Sequence, residues 1–166
     1  MVWVKSAYAE ELAVLVTWLS LLLPWSVSYA SNPQLSLVAV RFLPGQLQYI
    51  IGVTFGNLER PLLWVWQLPG FESNPALVQA YLVWLLAAAV YAVALLDSLA
   101  LYFTEDRIAS LGVDHVRTLG VLLGTTAVLL SGSLALLWQD HPGLTVPVGV
   151  LFLYAFGGLL LSVDRT

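Results

Sequence analysis

Four long apolar runs govern what this chain can fold into. They are "LAVLVTWLSLLLPWSVSY" (Leu12–Tyr29), Leu77–Phe103, "TLGVLLGTTAVLLSGSLALLW" (Thr118–Trp138) and Leu144–Val163. A helix needs about 20 mostly apolar residues, at about 1.5 Å rise each, to cross a hydrocarbon core of about 30 Å. Charge is correspondingly scarce. Of 166 residues, 60% are hydrophobic and 10% charged, against roughly a quarter charged in soluble proteins. The runs predict an all-α membrane protein: one domain over 1–166, with a four-helix transmembrane bundle in the lipid bilayer. The expected spans are about 12–29, 77–103, 118–138 and 144–163. A fifth apolar stretch, "LSLVAVRFLPGQLQYIIGVTF" (35–55), fails as a span because Arg41, Pro44, Gly45, Gln46 and Gln48 break its middle.

Lys5 ahead of the first run, and the small residues Ser28 and Ala30 near its end, give that run the outline of a signal peptide. Glu10 and Glu11 abut its apolar core, however, and an uncleaved first span is expected. Orientation follows Lys and Arg. Lys5, Arg107, Arg117 and Arg165 fall on the side shared by both termini, which places both termini in the cytoplasm of a multi-pass cell-membrane protein. Arg41 and Arg60 fall in a longer loop on the other side. Trp25, Tyr29 and Trp138 mark the outer interface, and Trp3, Tyr8 and Tyr102 the inner one.

The outer cap, residues 31–76, is too apolar for an ordinary linker. "LSLVAVRF" (35–42) and "QLQYIIGVT" (46–54) are rich in β-branched and aromatic residues and flank "LPG". Such a pattern predicts a β-hairpin turning at Pro44-Gly45, and "LLWVWQL" (62–68) supplies a third extended segment. The cap is expected to fold onto the outer helix ends and bury Trp64 or Trp66 there. Two readings stand side by side: a lid over the bundle, or a partner-binding cap with Trp64, Trp66 and Tyr49 as anchors.

Asp97 places a carboxylate near the end of a long apolar run. From Leu77 to Asp97 is about 30 Å of helix, which sets Asp97 at the cytoplasmic edge. Arg117 opens the next span at similar depth and is the expected partner, making an interfacial ion pair. The competing reading is an ion or proton relay.

In the third span Gly120, Gly124, Ala127, Ser131 and Ala135 share one face, and small residues there let helices approach closely. Bulk at Gly124 is expected to force the helices apart. Ala80, Ala87, Ala88, Ala94 and Ser98 play the same part in the second span, and Gly149, Gly157 and Gly158 in the fourth.

No constellation for catalysis is evident. There are no cysteines, and His115 and His141 fall in loops on opposite sides of the bundle. Ser131 and Ser133 lack a base in their own segment, and Thr125 and Thr126 can bond back to their own helix. No cofactor, no metal site and no enzymatic activity is expected. The net charge of −4 carries no basic patch for nucleic acid. Five Arg to one Lys, with acids in excess, leans toward the composition of halophiles.

The pattern "WVKSAYAEELAVLVTWLSLLLPWSVS" followed by "VRFLPGQLQYIIG" resembles small multi-span membrane proteins of halophilic archaea known as domains of unknown function. The resemblance covers most of the chain and transfers no catalytic residues. The layout is also similar to that of claudins, with four spans, both ends inside and a β-rich first outer loop. "GNLERPLLW" (56–64) stands near their Gly-Leu-Trp motif, and their paired cysteines are missing here. The similarity implies architecture, not activity. The expected function is that of a non-enzymatic membrane protein. It would be a structural or accessory subunit, with a membrane protein or a second copy as its partner. The alternative is a small transporter or channel subunit using Asp97.

Overall fold

The computed structural model describes residues 8–31, 33, 36–51, 61–103, 114–140 and 143–163. Four helices are present: α1 (Ala9–Leu22), α2 (Pro75–Phe103), α3 (His115–Asp140) and α4 (Val148–Leu161). Five strands accompany them: β1 (Ser26–Ser31), β2 (Ser36–Arg41), β3 (Gly45–Ile51), β4 (Leu62–Trp64) and β5 (Leu144–Val146). The expected four helices, with strands between the first two, are therefore seen. Among the described residues only α2 and α3 are long and apolar enough to cross a membrane by themselves. At 14 residues each, α1 and α4 reach only about 21 Å.

The expected first and last spans are thus corrected, and local chemistry explains both. Pro24 cannot donate to the helix ladder and disfavours helical backbone at the residue before it. Leu23 is accordingly extended (φ −82, ψ 132) and α1 stops at Leu22. The polar–apolar alternation of Ser26–Ser31 then runs as strand. At the other end Leu144–Val146 is strand, and α4 starts only after Pro147. The two corrections are one event, because β1 and β5 pair antiparallel with Val27 opposite Val146, Ser28 opposite Thr145 and Tyr29 opposite Leu144. "All-α" is therefore too narrow a class for the chain.

The strands form one antiparallel sheet in the order β4-β3-β2-β1-β5. β2 and β3 make the expected hairpin, in register from Ser36 opposite Ile51 to Arg41 opposite Gln46. Its loop is Leu43-Pro44. The Phe42 N–H donates to the Gly45 carbonyl at 2.8 Å, and the Gly45 N–H donates back at 3.3 Å. A Cβ at Gly45 would lie 2.6 Å from the Leu63 carbonyl oxygen, so glycine lets β4 close onto β3 here. The expected hairpin end at Gly52–Thr54 lies outside the described residues.

Inside the bundle, α2 buries Ala80, Ala87, Ala94 and Ser98 completely, interleaved with Trp84 and Tyr91. α3 answers with Leu119, Leu123, Ala127, Leu130 and Leu137. Side-chain donors tie the helices together where water cannot. Ser133 donates to the Ala80 carbonyl at 2.8 Å, Trp18 Nε1 to Ser98 Oγ at 3.2 Å, and the Tyr91 hydroxyl to the Thr17 carbonyl.

α3 packs against α4 through part of the expected small-residue face. A Cβ on Gly157 would lie 3.0 Å from the Gly124 nitrogen and 3.1 Å from the Gly120 carbonyl oxygen. Ser131 bonds back to the Ala127 carbonyl and reaches the Tyr154 hydroxyl at 3.1 Å. Ala135 is exposed, so the face ends before it. Gly124 takes part through its backbone, but a Cβ there meets nothing within 4 Å. A Cβ is therefore crowded at Gly157 and at Gly120, where it would lie 3.0 Å from the Leu161 side chain, and not at Gly124. Gly157→Ala should lower stability by about 1–3 kcal/mol by overpacking. Gly124→Ala should leave it unchanged or raise it by up to about 1 kcal/mol through helix propensity. Thermal unfolding of both variants in one detergent checks the order.

Candidate functional site

The sheet has its polarity reversed. Strands alternate faces with a period of two, so the register sorts the side chains. One face carries Ser26, Ser28, Arg41, Gln46 and Thr145, and all five are buried. The opposite face carries Val27, Tyr29, Val38, Val40, Leu47, Tyr49, Ile51, Leu62, Trp64, Leu144 and Val146. Of these, Tyr29, Tyr49, Ile51, Leu62, Trp64, Leu144 and Val146 are exposed. A water-facing sheet would normally hide such residues and show the polar ones.

The three expected cap anchors lie on or beside this apolar face. Tyr49 is 53% exposed, Trp64 40% and Trp66 54%. The rings of Trp64 and Trp66 stack nearly parallel, 5.5 Å apart and 4° off plane. The expectation that one of them is buried against the helix ends is thus corrected. A single 3-10 turn, Val65–Gln67, follows β4 and turns Val65 inward instead. The buried tryptophans are Trp25 and Trp84, packed edge to face at 5.1 Å. Trp84 Nε1 donates to the Leu43 carbonyl at 2.9 Å, which fastens the hairpin loop to α2. Trp84 gives one sign of this role in the sequence: it sits mid-run, where a lipid-facing tryptophan would be out of place.

The buried face is a hydrogen-bonded polar layer. Arg41 Nη1 donates to Ser28 Oγ and reaches Ser26 Oγ at 3.4 Å. Ser28 Oγ and Thr145 Oγ1 are 2.7 Å apart. Burial holds the guanidinium below its usual range, at about 10, with the nearby Tyr81 phenol opposing that shift. In the sequence Arg41 excludes a fifth span and counts toward orientation, with no sign of a buried partner. Its position opposite Ser26 and Gln46 was the missed signal.

At the far end of α2, Asp97 meets His115 instead of the expected Arg117. Asp97 Oδ1 and His115 Nδ1 are 2.8 Å apart, and the pair is half-buried. Arg117 points outward, 60% exposed, and pairs with Asp114 at 3.4 Å. The reason is helical phase: α3 begins at His115, and Arg117 is two residues further round the helix. His115 is thus an ordered helix-start residue, not a solvated loop histidine. His141, Lys5, Arg60, Arg107, Arg165, Trp3 and Gly56–Arg60 lie outside the described residues. Among the described residues no three His, Cys, Asp or Glu side chains converge as metal ligands. Thr125 is exposed, and Thr126 bonds back to the Leu122 carbonyl.

An apolar groove of about 670 Å³ runs between α1 and α2, lined by Val14, Leu15, Trp18, Leu19, Leu22, Leu101 and Tyr102, with Glu10 and Glu11 also bordering it. Large apolar side chains are also exposed along all four helices, including Leu15, Leu22, Leu86, Leu96, Val121, Val128, Leu151 and Phe152. Bare belts of this extent mark contact with membrane or protein.

One sequence comparison covers nearly the whole chain: the profile of a family of unknown function, DUF7549, matches residues 2–165. The chain belongs to this family. None of the curated proteins matches it.

Exchange of partners at α2 and α3 has a measurable consequence. In a double-mutant cycle, Asp97→Asn and His115→Asn should show a coupling of about 1 kcal/mol, because the pair is shielded on both sides. Arg117→Ala should change stability by less than about 0.5 kcal/mol. Chemical unfolding of the four variants in the same micelle reads both.

Proposed function

We propose that this family member is a non-enzymatic integral membrane protein, a structural or accessory subunit that engages a membrane-protein partner through the exposed face of its sheet. The observation that carries this reading is the reversed sheet. A lid needs its apolar side turned toward the bundle. Here the polar side is turned in, and Tyr49, Ile51, Trp64 and Trp66 are left outside. Aromatic side chains of this kind are good interface anchors because they bury large area at small entropic cost.

Four membrane crossings, with both termini in the cytoplasm, are part of the same proposal. The apolar outer sides of α1 and α4, with Leu15, Leu19, Leu151 and Leu161 exposed, support a lipid environment for the two short helices as well. The placement of Lys and Arg supports the orientation. An origin in a halophile accords with the acidic balance of the chain. The transporter alternative draws on the Asp97–His115 pair. It gains nothing from the apolar groove between α1 and α2, which is lined by none of Asp97, Thr125 or Ser131.

Two experiments test the reading. A photo-crosslinking amino acid at Tyr49, in native membranes, should give a discrete protein adduct that the same group at lipid-facing Leu86 does not. The Trp64→Ser/Trp66→Ser double variant should weaken that adduct at least several-fold while the protein still folds. Adducts with lipid alone at both positions would overturn the proposal. Single cysteines at Ser6 and Ser110 should resist an impermeant reagent in intact cells, and one at Asn74 should react. The opposite pattern would invert the orientation.

A further inference from the structure

Arg41 is the most conspicuous unbalanced group in the molecule. It is 3% exposed, and no carboxylate among the described residues comes within ion-pair distance. Its Nε–H is buried and has no hydrogen-bond partner. A buried, unpaired charge is costly enough that proteins nearly always supply a counter-charge. A guanidinium cannot escape by giving up its proton at neutral pH.

Beside Arg41 lies a small cavity of about 20 Å³, lined by Ser28, Gln46, Thr145, Gly143 and Ala39 among others. Its polar neighbours are donors waiting for an acceptor. Ser28 Oγ accepts from Arg41 and makes a 2.7 Å contact with Thr145 Oγ1 in which either hydroxyl can donate. With Ser28 as the donor, the Thr145 hydroxyl turns its own proton to the cavity. Gln46 spends one amide hydrogen on a long contact to Gln48 at 3.4 Å and retains the other. Such a chain polarises each member in turn and presents positive charge at its end. Among the described residues no side chain lining the cavity is acidic.

We propose that this cavity binds one small monovalent anion with the chemistry of chloride, held by the Arg41 guanidinium and the Thr145 hydroxyl. Size sets the class. The space admits one water-sized body, so a halide fits, and a sulfate, a phosphate or a lipid headgroup does not. The anion supplies the missing counter-charge and ties β2 to β1 and β5, the strands that join the sheet to α1 and α4. Anion binding of this kind is independent of the partner-binding face on the opposite side of the sheet.

The test uses the full chain in detergent, unfolded thermally at constant sodium and constant ionic strength while chloride replaces gluconate. The unfolding temperature should rise saturably with chloride and with bromide, and not with sulfate. Thr145→Val, which keeps shape and removes the donor, should shift the chloride midpoint upward about tenfold, the equivalent of one good hydrogen bond. Arg41→Gln should abolish the response. Should Arg41→Gln not fold, crystals grown in bromide decide: a single anomalous peak beside Arg41 and Thr145 is expected. Equal unfolding temperatures in chloride and gluconate, an unchanged midpoint in Thr145→Val, an equal response to sulfate, or a cavity free of bromide would each overturn the proposal.

Discussion

The crossing of two chain segments at Pro24–Trp25 and Gly149 is the constraint on which the rest of the structure depends. The Gly149 N–H donates to the Pro24 carbonyl at 3.0 Å. A Cβ on Gly149 would lie 2.6 Å from that oxygen and 2.7 Å from the Trp25 Cα, so no side chain fits between the segments. At this point α1 becomes β1, and just after β5 the chain becomes α4. Bringing the two transitions together sets β1 beside β5. It also drives Trp25 inward onto Trp84, which is itself bonded to the hairpin loop at Leu43. The Trp25 N–H donates to the Arg41 carbonyl at 2.8 Å and continues the β1–β2 ladder into the core. Helix ends, sheet register and the buried tryptophan pair are therefore one unit.

That unit explains how a sheet can be reversed without falling apart. Its polar side has been turned inward, and hydrogen bonds link most of it: Arg41 to Ser28, Ser28 with Thr145, Gln46 to Gln48, with Arg41 Nε left unmet. Hydrogen-bonded polar layers hold a particular register more strictly than apolar ones do, since a slip of one residue leaves every donor unmet. The cost is that the apolar side chains have nowhere to go but outward. In a membrane protein this is tolerable if lipid or another protein covers them.

Much of this was legible in the residues, and the exceptions have physical causes. Leu77–Phe103 and Thr118–Trp138 contain no proline, and both are helix. The hairpin was announced by β-branched residues around Pro44-Gly45. Pro24 marks the end of α1, but hydropathy does not distinguish the strand "SVSYAS" from the continuation of a span, and its pairing with β2 and β5 settles the matter. β5 itself has three residues, too few to show any period. The orientation of Trp64 and Trp66 depends on a single 3-10 turn. The partner of Asp97 depends on where α3 starts, about half a turn of phase that composition does not encode. Arg41 was readable in principle, since alternation along β2 places it with Ala39 and Leu37, but its polar surroundings come from three other strands.

The distribution of unspent polar groups separates the two ends of the bundle. Between the sheet and Asp97, interhelical hydroxyls and indoles are committed to specific acceptors: Ser133 to Ala80, Tyr91 to Thr17, Trp18 to Ser98. Ala80, Ala87 and Ala94 draw α2 against its neighbours with no room left between. Buried groups without partners occur at the extremities instead, Arg41 Nε and Trp25 Nε1 at the sheet end and Asp97 Oδ2 and His115 Nε2 at the other. α3 is the helix that packs against both α2 and α4, with alanine, glycine and serine at the positions where the helices come closest.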